Sequence, residues 1–221
     1  MEEDIVIAKA AKEISVAKII SYLFHPLFMP TYGMLLVFFS NQLNGFNVYA
    51  LPEMMATNKM IFAIIIVFTL LIPGITALVL KRMGQIQSLQ MENRRERLLP
   101  FAITGFCYLT ASVIIQNTLD HVNQMILIIL AGAQLAILLS LVISVYWKIS
   151  IHMIGIGGMV GTEILMMNVF NFSWDAILYS TLFIAGLVGF ARLRLNAHQP
   201  AEVLAGFVVG VITETFFLLL Y

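Results

Sequence analysis

The stretch ARLRLNAHQPAEVLAG, residues 191–206, sets charged side chains between two apolar segments. It contains Arg192, His198 and Glu202, and Pro200 predicts that a helix begins there. The free N–H groups and the dipole at a helix amino terminus attract anions. The same dipole opposes protonation of His198, so a neutral imidazole is available as a nucleophile near neutral pH. These residue types indicate chemistry on an anionic group.

Two further polar stretches run into the predicted start of a helix. ENRRERLLPF contains Arg94, Arg95 and Arg97, and KISIH contains Ser150 and His152. Arginines oppose the dipole at a helix amino terminus, so they cost stability unless an anion is bound nearby. Three helix starts with five arginines among them therefore predict a phosphate site. The alternative for each arginine taken alone is a topology signal or a contact with a lipid headgroup.

The pattern of Arg192, five residues, His198, three residues and Glu202 resembles the third signature of the type 2 phosphatidic acid phosphatase superfamily. These are membrane lipid phosphatases that share a core fold with vanadium haloperoxidases. Their third signature ends in aspartate, whereas this chain has glutamate. The resemblance covers roughly residues 58–221.

The other two signatures of that superfamily are matched in part. Ser150 to His152 resembles the second signature, Ser-Gly-His, with Ile151 at the glycine position. The first signature, Lys, six residues, Arg-Pro, is not present as such. Its role is assigned loosely to two arginines of the stretch ENRRERLLPF, Arg94 and Arg97, with Arg95 as the alternative.

The resemblance implies a role for each matched residue. His198 attacks phosphorus and forms a phosphohistidine, Glu202 orients its imidazole, and His152 protonates the leaving oxygen. The phosphoryl oxygens are held by four side chains: Arg192, Ser150, Arg94 and Arg97. The resemblance implies no metal and no cofactor, and its substrate is a phosphorylated membrane lipid, either a lipid phosphate or an isoprenoid diphosphate. Because the signatures differ from the family pattern, a protein that binds lipid phosphate without turnover is the alternative.

The composition is that of an integral membrane protein. Hydrophobic residues make up 61% and charged residues 11%, against about 25% charged in soluble domains. The formal net charge of zero gives no reason to expect a nucleic-acid partner. Segments of the length needed to cross a bilayer are expected near 26–41, 58–80, 98–116, 125–146, 153–170, 176–190 and 200–221. The first and sixth are short, so we predict an all-α bundle of six or seven spans that forms one domain, residues 25–221.

Residues 1–24 are predicted to form an amphipathic helix on the bilayer surface. Its charged side chains fall largely off a broad apolar face formed by Ile5, Ile7, Ala8, Ala11, Ile14, Ala17 and Ile20. The polar stretches 81–97, 147–152 and 191–199 follow the second, fourth and sixth spans, so they lie on the same side as the amino terminus. That side carries eleven of the twelve Lys and Arg residues, and Lys59 alone is on the other. The positive-inside rule makes it cytoplasmic, which predicts a bacterial cytoplasmic membrane with the site facing inward.

Two acids, Glu163 and Glu214, fall inside predicted spans, where an unpaired carboxylate is costly. They are either packing residues or part of a polar path, and the second option makes a lipid or solute transporter the alternative function. On the same two helices, small faces are predicted to allow close packing: Gly157 and Gly161, and Gly206 and Gly210.

Overall fold

The protein, described by a computed structural model, is an all-α helical bundle. The structure describes residues 2–43, 52–89, 91, 93–118, 124–169, 171 and 173–217. Within these ranges there are nine α-helices and no strand. The helices are α1 (Glu2–Leu23), α2 (Met29–Leu43), α3 (Pro52–Ile65), α4 (Ile72–Arg82), α5 (Leu98–Thr118), α6 (Gln124–Tyr146), α7 (Ile151–Val169), α8 (Asp175–Arg194) and α9 (Pro200–Thr215).

Three short elements join or precede these helices. A 3-10 turn, Pro26–Phe28, separates α1 from α2, because proline lacks the N–H that would continue the first helix. The His25 side chain caps this turn by accepting a hydrogen bond from the main-chain N–H of Leu27 at 3.3 Å. A π-helical segment, Ile66–Leu71, makes α3 and α4 one continuous helical stretch, and a 3-10 turn, Arg94–Arg97, precedes α5.

In the part of the chain that the structure describes, five stretches are long and apolar enough to cross a membrane: Glu13–Phe38, Thr57–Arg82, Arg94–Asn117, Met125–Tyr146 and Asp175–Arg194. The sixth predicted span, near 176–190, is longer in the structure because α8 continues to Arg194. The first begins at Glu13 instead of near residue 26, because the second half of α1 is apolar and is joined to α2 by the short turn Pro26–Phe28. The end of the seventh predicted span, residues 218–221, lies outside the described residues.

One face of the second half of α1 packs against the other helices. Ile20 and Phe24 contact a buried cluster that includes Val188 of α8, and Glu13 pairs with Arg194 at 2.6 Å. The side chains of residues 1–12 lie outside the described part, so the surface position of that segment stays a prediction.

The helices α7 and α9 form the closest pair in the bundle. A Cβ atom added at Gly157 would collide with the carbonyl oxygen of Phe207, and one added at Gly161 would lie 2.8 Å from the carbonyl oxygen of Val211. A Cβ atom on Gly210 would lie 2.7 Å from the amide nitrogen of Gly158. The predicted close packing through small residues is therefore confirmed, and it holds the starts of α7 and α9 together.

Candidate active site

Six of the side chains singled out in the sequence meet at one end of the bundle, where α5, α7 and α9 begin and α8 ends. The Arg97 guanidinium donates to the carbonyl oxygen of Ile149 at 2.9 Å, which joins the start of α5 to that of α7. The main-chain N–H of Ser150 donates to the carbonyl oxygen of Glu202 at 3.3 Å, which joins α7 to α9. We call the buried side chains at this point the polar cluster: Arg97, Ser150, His152, Arg192, His198 and Glu202.

The centre of the polar cluster is a histidine–carboxylate pair. Nδ1 of His198 lies 2.7 Å from Oε2 of Glu202, and both side chains are buried. The same oxygen accepts a hydrogen bond from the main-chain N–H of Gln199 at 3.3 Å. Pro200 occupies the first turn of α9, so the helix starts where the sequence predicts. With Nδ1 bonded to the carboxylate, Nε2 is the ring nitrogen that can attack a substrate.

The surroundings favour the neutral form of His198. Burial lowers its pKa to about 4, and the positive charges of Arg97 and Arg192 act in the same direction. The hydrogen bond to Glu202 raises the pKa but does not outweigh them. An uncharged imidazole, which a nucleophile requires, is thus the form present at neutral pH.

The two buried arginines differ in how they are held. Arg97 donates from Nε to the carbonyl oxygen of Met91 at 2.8 Å and from a terminal nitrogen to the carbonyl oxygen of Ile149. These two main-chain acceptors fix the orientation of its guanidinium plane. Arg192 donates to the hydroxyl of Ser21 at 3.3 Å, while its Nε is buried and has no partner among the described residues. An unpaired guanidinium nitrogen in a buried cluster is suited to an anionic oxygen.

The start of α7 contributes two more unpartnered polar atoms. The hydroxyl of Ser150 and Nδ1 of His152 are buried without a hydrogen-bond partner. Nε2 of His152 contacts the carbonyl oxygen of Ser21 at 3.1 Å, which favours the tautomer with hydrogen on Nε2. The ring of His152 also packs edge-on against His25, with centroids 5.2 Å apart.

Ser21 and His25 are members of the site that sequence reasoning missed. They lie at the end of α1 and in the turn after it, far from the other site residues along the chain. A histidine directly before a proline, at a break between two apolar helices, was a usable signal for His25.

The remaining predicted phosphate ligand, Arg94, lies outside the polar cluster. Its side chain is exposed and donates to the main-chain carbonyl of Tyr146. The alternative residue Arg95 is also exposed. Of the three arginines in that stretch, the structure therefore brings Arg97 alone into contact with the other site residues.

A cavity of about 420 Å³ is lined in part by residues that contact the polar cluster. His25 lines one part of it, and Met91, whose carbonyl oxygen accepts from Arg97, lines the wall nearby. Most of its lining is apolar and comes from α2, α4, α5, α6 and α7. The polar cluster thus borders a hydrophobic space.

The two buried acids lie in different surroundings. The hydroxyl of Thr181 on α8 donates to Glu163 at 2.6 Å, which accounts for one oxygen of that carboxyl group. Glu214 on α9 lines the cavity, and its Oε2 is buried without a partner. Among the described residues the cavity lining includes Glu214 but not Glu163. A polar path through both acids stays a prediction.

Comparison with known proteins gives no match: no family model, no curated protein and no solved structure is significantly similar to the chain. Function is therefore inferred from the chemistry of the polar cluster.

Proposed function

We propose that this membrane protein is a phosphatase that hydrolyses a phosphorylated lipid through a phosphohistidine on His198, as a divergent member of the type 2 phosphatidic acid phosphatase superfamily. The observation that carries the proposal is the buried pair of His198 and Glu202, 2.7 Å apart, beside two buried arginines. The pair orients a neutral nucleophile, and the arginines neutralise a phosphoryl group. Phosphoryl transfer depends mainly on such positioning and charge neutralisation.

The reaction has two steps. Nε2 of His198 attacks phosphorus, and the bond from that phosphorus to the leaving oxygen breaks; the leaving oxygen is the lipid oxygen of a monoester or the bridging oxygen of a diphosphate. His152 gives a proton to that oxygen, so the lipid leaves as an alcohol or, from a diphosphate, as a monophosphate. Water then attacks the phosphohistidine, the P–N bond breaks and inorganic phosphate is released, while His152 takes a proton from that water.

Three unpartnered polar atoms support the phosphate-binding part of the proposal. Nε of Arg192, the hydroxyl of Ser150 and Nδ1 of His152 are all buried at the same end of the bundle. Buried polar groups are normally hydrogen-bonded, and the oxygens of one phosphoryl group can satisfy several of them together. For His152, the negative charge of the substrate favours the protonated ring that a general acid needs.

A lipid is the substrate class favoured by the setting. The polar cluster lies among membrane-spanning helices, and the apolar cavity begins next to His25. We also propose a bacterial cytoplasmic membrane with the site on the cytoplasmic side, because eleven of twelve basic residues share that side of the predicted topology. A reporter fused to the carboxyl terminus tests this orientation together with the span count. Seven spans put the carboxyl terminus outside, and activity in the cytoplasm alone would contradict either the seven-span count or the orientation.

The deciding experiment measures phosphate release by the purified full chain in detergent with EDTA present. The substrates are a one-chain lipid phosphate, a two-chain lipid phosphate and an isoprenoid diphosphate. We expect release from at least one, acid-labile labelling of the protein by ³²P substrate, and loss of both in His198→Ala. The control Arg194→Ala removes an exposed ion pair with Glu13 and keeps both signals.

Two results would overturn parts of the proposal. If turnover occurs but His198→Ala retains the label, the nucleophile is another group. If no substrate is hydrolysed while lipid phosphates bind saturably, the protein is a lipid-phosphate binder and the enzymatic proposal is wrong.

A further inference from the structure

Glu214 is a buried carboxyl group that the proposed phosphatase reaction does not use. It lies on α9 and lines the cavity. Its side chain is 4% exposed, and no described residue forms a hydrogen bond with Oε2. A buried carboxyl oxygen without a partner in a native fold calls for an explanation.

The neighbouring helices leave room for this carboxyl group. A Cβ atom added at Gly132 of α6 would lie 2.6 Å from Cδ of Glu214, and one at Gly161 of α7 would lie 2.7 Å from its Cβ. At Gly158 an added Cβ would meet Cγ of Glu214 at an ordinary 3.7 Å. Gly132 and Gly161 therefore form a slot that holds Glu214 at the cavity wall.

Two other hydroxyl groups in the cavity lining, those of Thr104 and Ser140, have already used their hydrogens. Thr104 donates to the carbonyl oxygen of Pro100 at 2.7 Å, and Ser140 donates to that of Ala136 at 2.6 Å. The oxygens of both residues keep lone pairs that can accept a further hydrogen bond. These two oxygens thus offer acceptors in a lining that is mostly apolar.

We infer that the cavity is a binding site for a single-chain lipid alcohol, whose hydroxyl group bonds to Glu214 and whose chain lies along the apolar wall. A hydroxyl group both donates and accepts, so it pairs with an uncharged carboxyl group without bringing a charge into the membrane interior. An ammonium ligand would instead pair with an ionised carboxylate. Two desolvated ions would then lie in the membrane interior, which is costly even when they are paired. The volume of about 420 Å³ is within the range for one small ligand.

The inference goes beyond the proposed phosphatase and does not need hydrolysis at His198. It is tested with the full chain in nanodiscs and a photoreactive diazirine analogue of hexadecanol, followed by peptide mapping. We expect saturable labelling of peptides that line the cavity. Unlabelled hexadecanol should compete, whereas hexadecane and hexadecylamine should compete at least about tenfold more weakly, since one buried hydrogen bond changes affinity by roughly that factor.

Variants identify the group that recognises the alcohol. Glu214→Leu should lower labelling about tenfold, whereas Glu214→Gln, which still donates and accepts, should stay within about threefold of wild type. Glu163→Leu is the matched control, because that acid is equally buried but bonds to Thr181 away from the cavity lining. Its labelling should equal that of wild type.

A second pair of variants applies if Glu214→Leu does not fold. Gly132→Ala pushes the carboxyl group out of its slot and should lower labelling, whereas Gly158→Ala meets only ordinary contacts and should not. Equal competition by hexadecane, stronger competition by hexadecylamine, or full labelling of folded Glu214→Leu or Gly132→Ala would each overturn the inference. None of these labelling results depends on hydrolysis at His198. A negative result would therefore contradict the lipid-alcohol site and leave the phosphatase proposal unaffected.

Discussion

The carbonyl oxygen of Glu202 accepts a hydrogen bond from the main-chain N–H of Ser150 at 3.3 Å, while its carboxylate holds Nδ1 of His198 at 2.7 Å. One residue therefore ties the start of α7 to that of α9 through its main chain and orients the proposed nucleophile through its side chain. A substitution at position 202 changes the second contact and leaves the first in place, so catalysis and folding can be separated there.

Glu202→Gln should lower kcat by roughly 10²- to 10⁴-fold with little change in Tm. The amide can still accept from Gln199, but it removes the negative charge that stabilises an imidazolium as His198 reacts. Glu202→Asp restores the residue of the family signature and should keep more activity than glutamine does. Steady-state kinetics and thermal unfolding of the three proteins decide this, and equal kcat for glutamine and wild type would contradict an orienting role.

Arg192→Lys should lower kcat/KM by about 10- to 100-fold, because an ammonium group cannot replace a planar fork that holds two oxygens. Its Tm should change little, since Arg192 has one side-chain bond to Ser21. Arg97→Lys should instead lower Tm, because Arg97 bonds to two main-chain carbonyls. Wild-type kcat/KM in Arg192→Lys would exclude it as the phosphate ligand.

His152→Ala should slow hydrolysis of a lipid phosphate by roughly 10²- to 10⁴-fold, which is the usual contribution of a general acid. The loss should be much smaller with an activated aryl phosphate, whose leaving oxygen needs no proton. The ratio of the two rates in wild type and variant is the measurement. An equal loss with both substrates would assign His152 to positioning instead of proton transfer.

The stability of the protein should fall as the pH is lowered from about 6.5 towards 4 in part because of His198. Its folded pKa of about 4 lies below the ordinary value of 6.5, so in this window the unfolded chain binds a proton that the native protein does not. His198→Gln lacks this contribution. Lowering the pH from 7 to 5 should therefore reduce the Tm of wild type more than that of His198→Gln. An equal reduction in both proteins would contradict a buried, neutral His198.

Gly210→Ala should destabilise the bundle by about 1–3 kcal/mol, because an added methyl group collides with the main chain of α7. Gly186→Ala on α8 is the matched control, since a Cβ atom there meets nothing within 4 Å. Thermal unfolding in detergent separates the two. Equal Tm values would show that α7 and α9 are not packed through their glycines.

Much of the architecture and the residue types of the site were predictable from the sequence. Long apolar segments must become helices in a membrane, because a helix satisfies its own backbone groups. The polar stretches containing Arg97, His152 and His198 are separated by even numbers of spans, and this alone returns them to one side of the bilayer. Glycines at a spacing of four likewise predict where two helices approach closely.

Which side chains meet within that side was decided by the tertiary structure. The sequence gives no reason to distinguish the three arginines of the Arg94–Arg97 turn. The orientation of this turn relative to α7 buries Arg97 and leaves Arg94 exposed. Ser21 and His25 join the site because α1 packs against α8, a contact between distant parts of the chain. The same holds for Glu163 and Glu214, whose partners depend on the rotation of α7 and α9 against their neighbours. Composition and spacing determine helices and their order, whereas the contacts between them depend on the packing of whole faces.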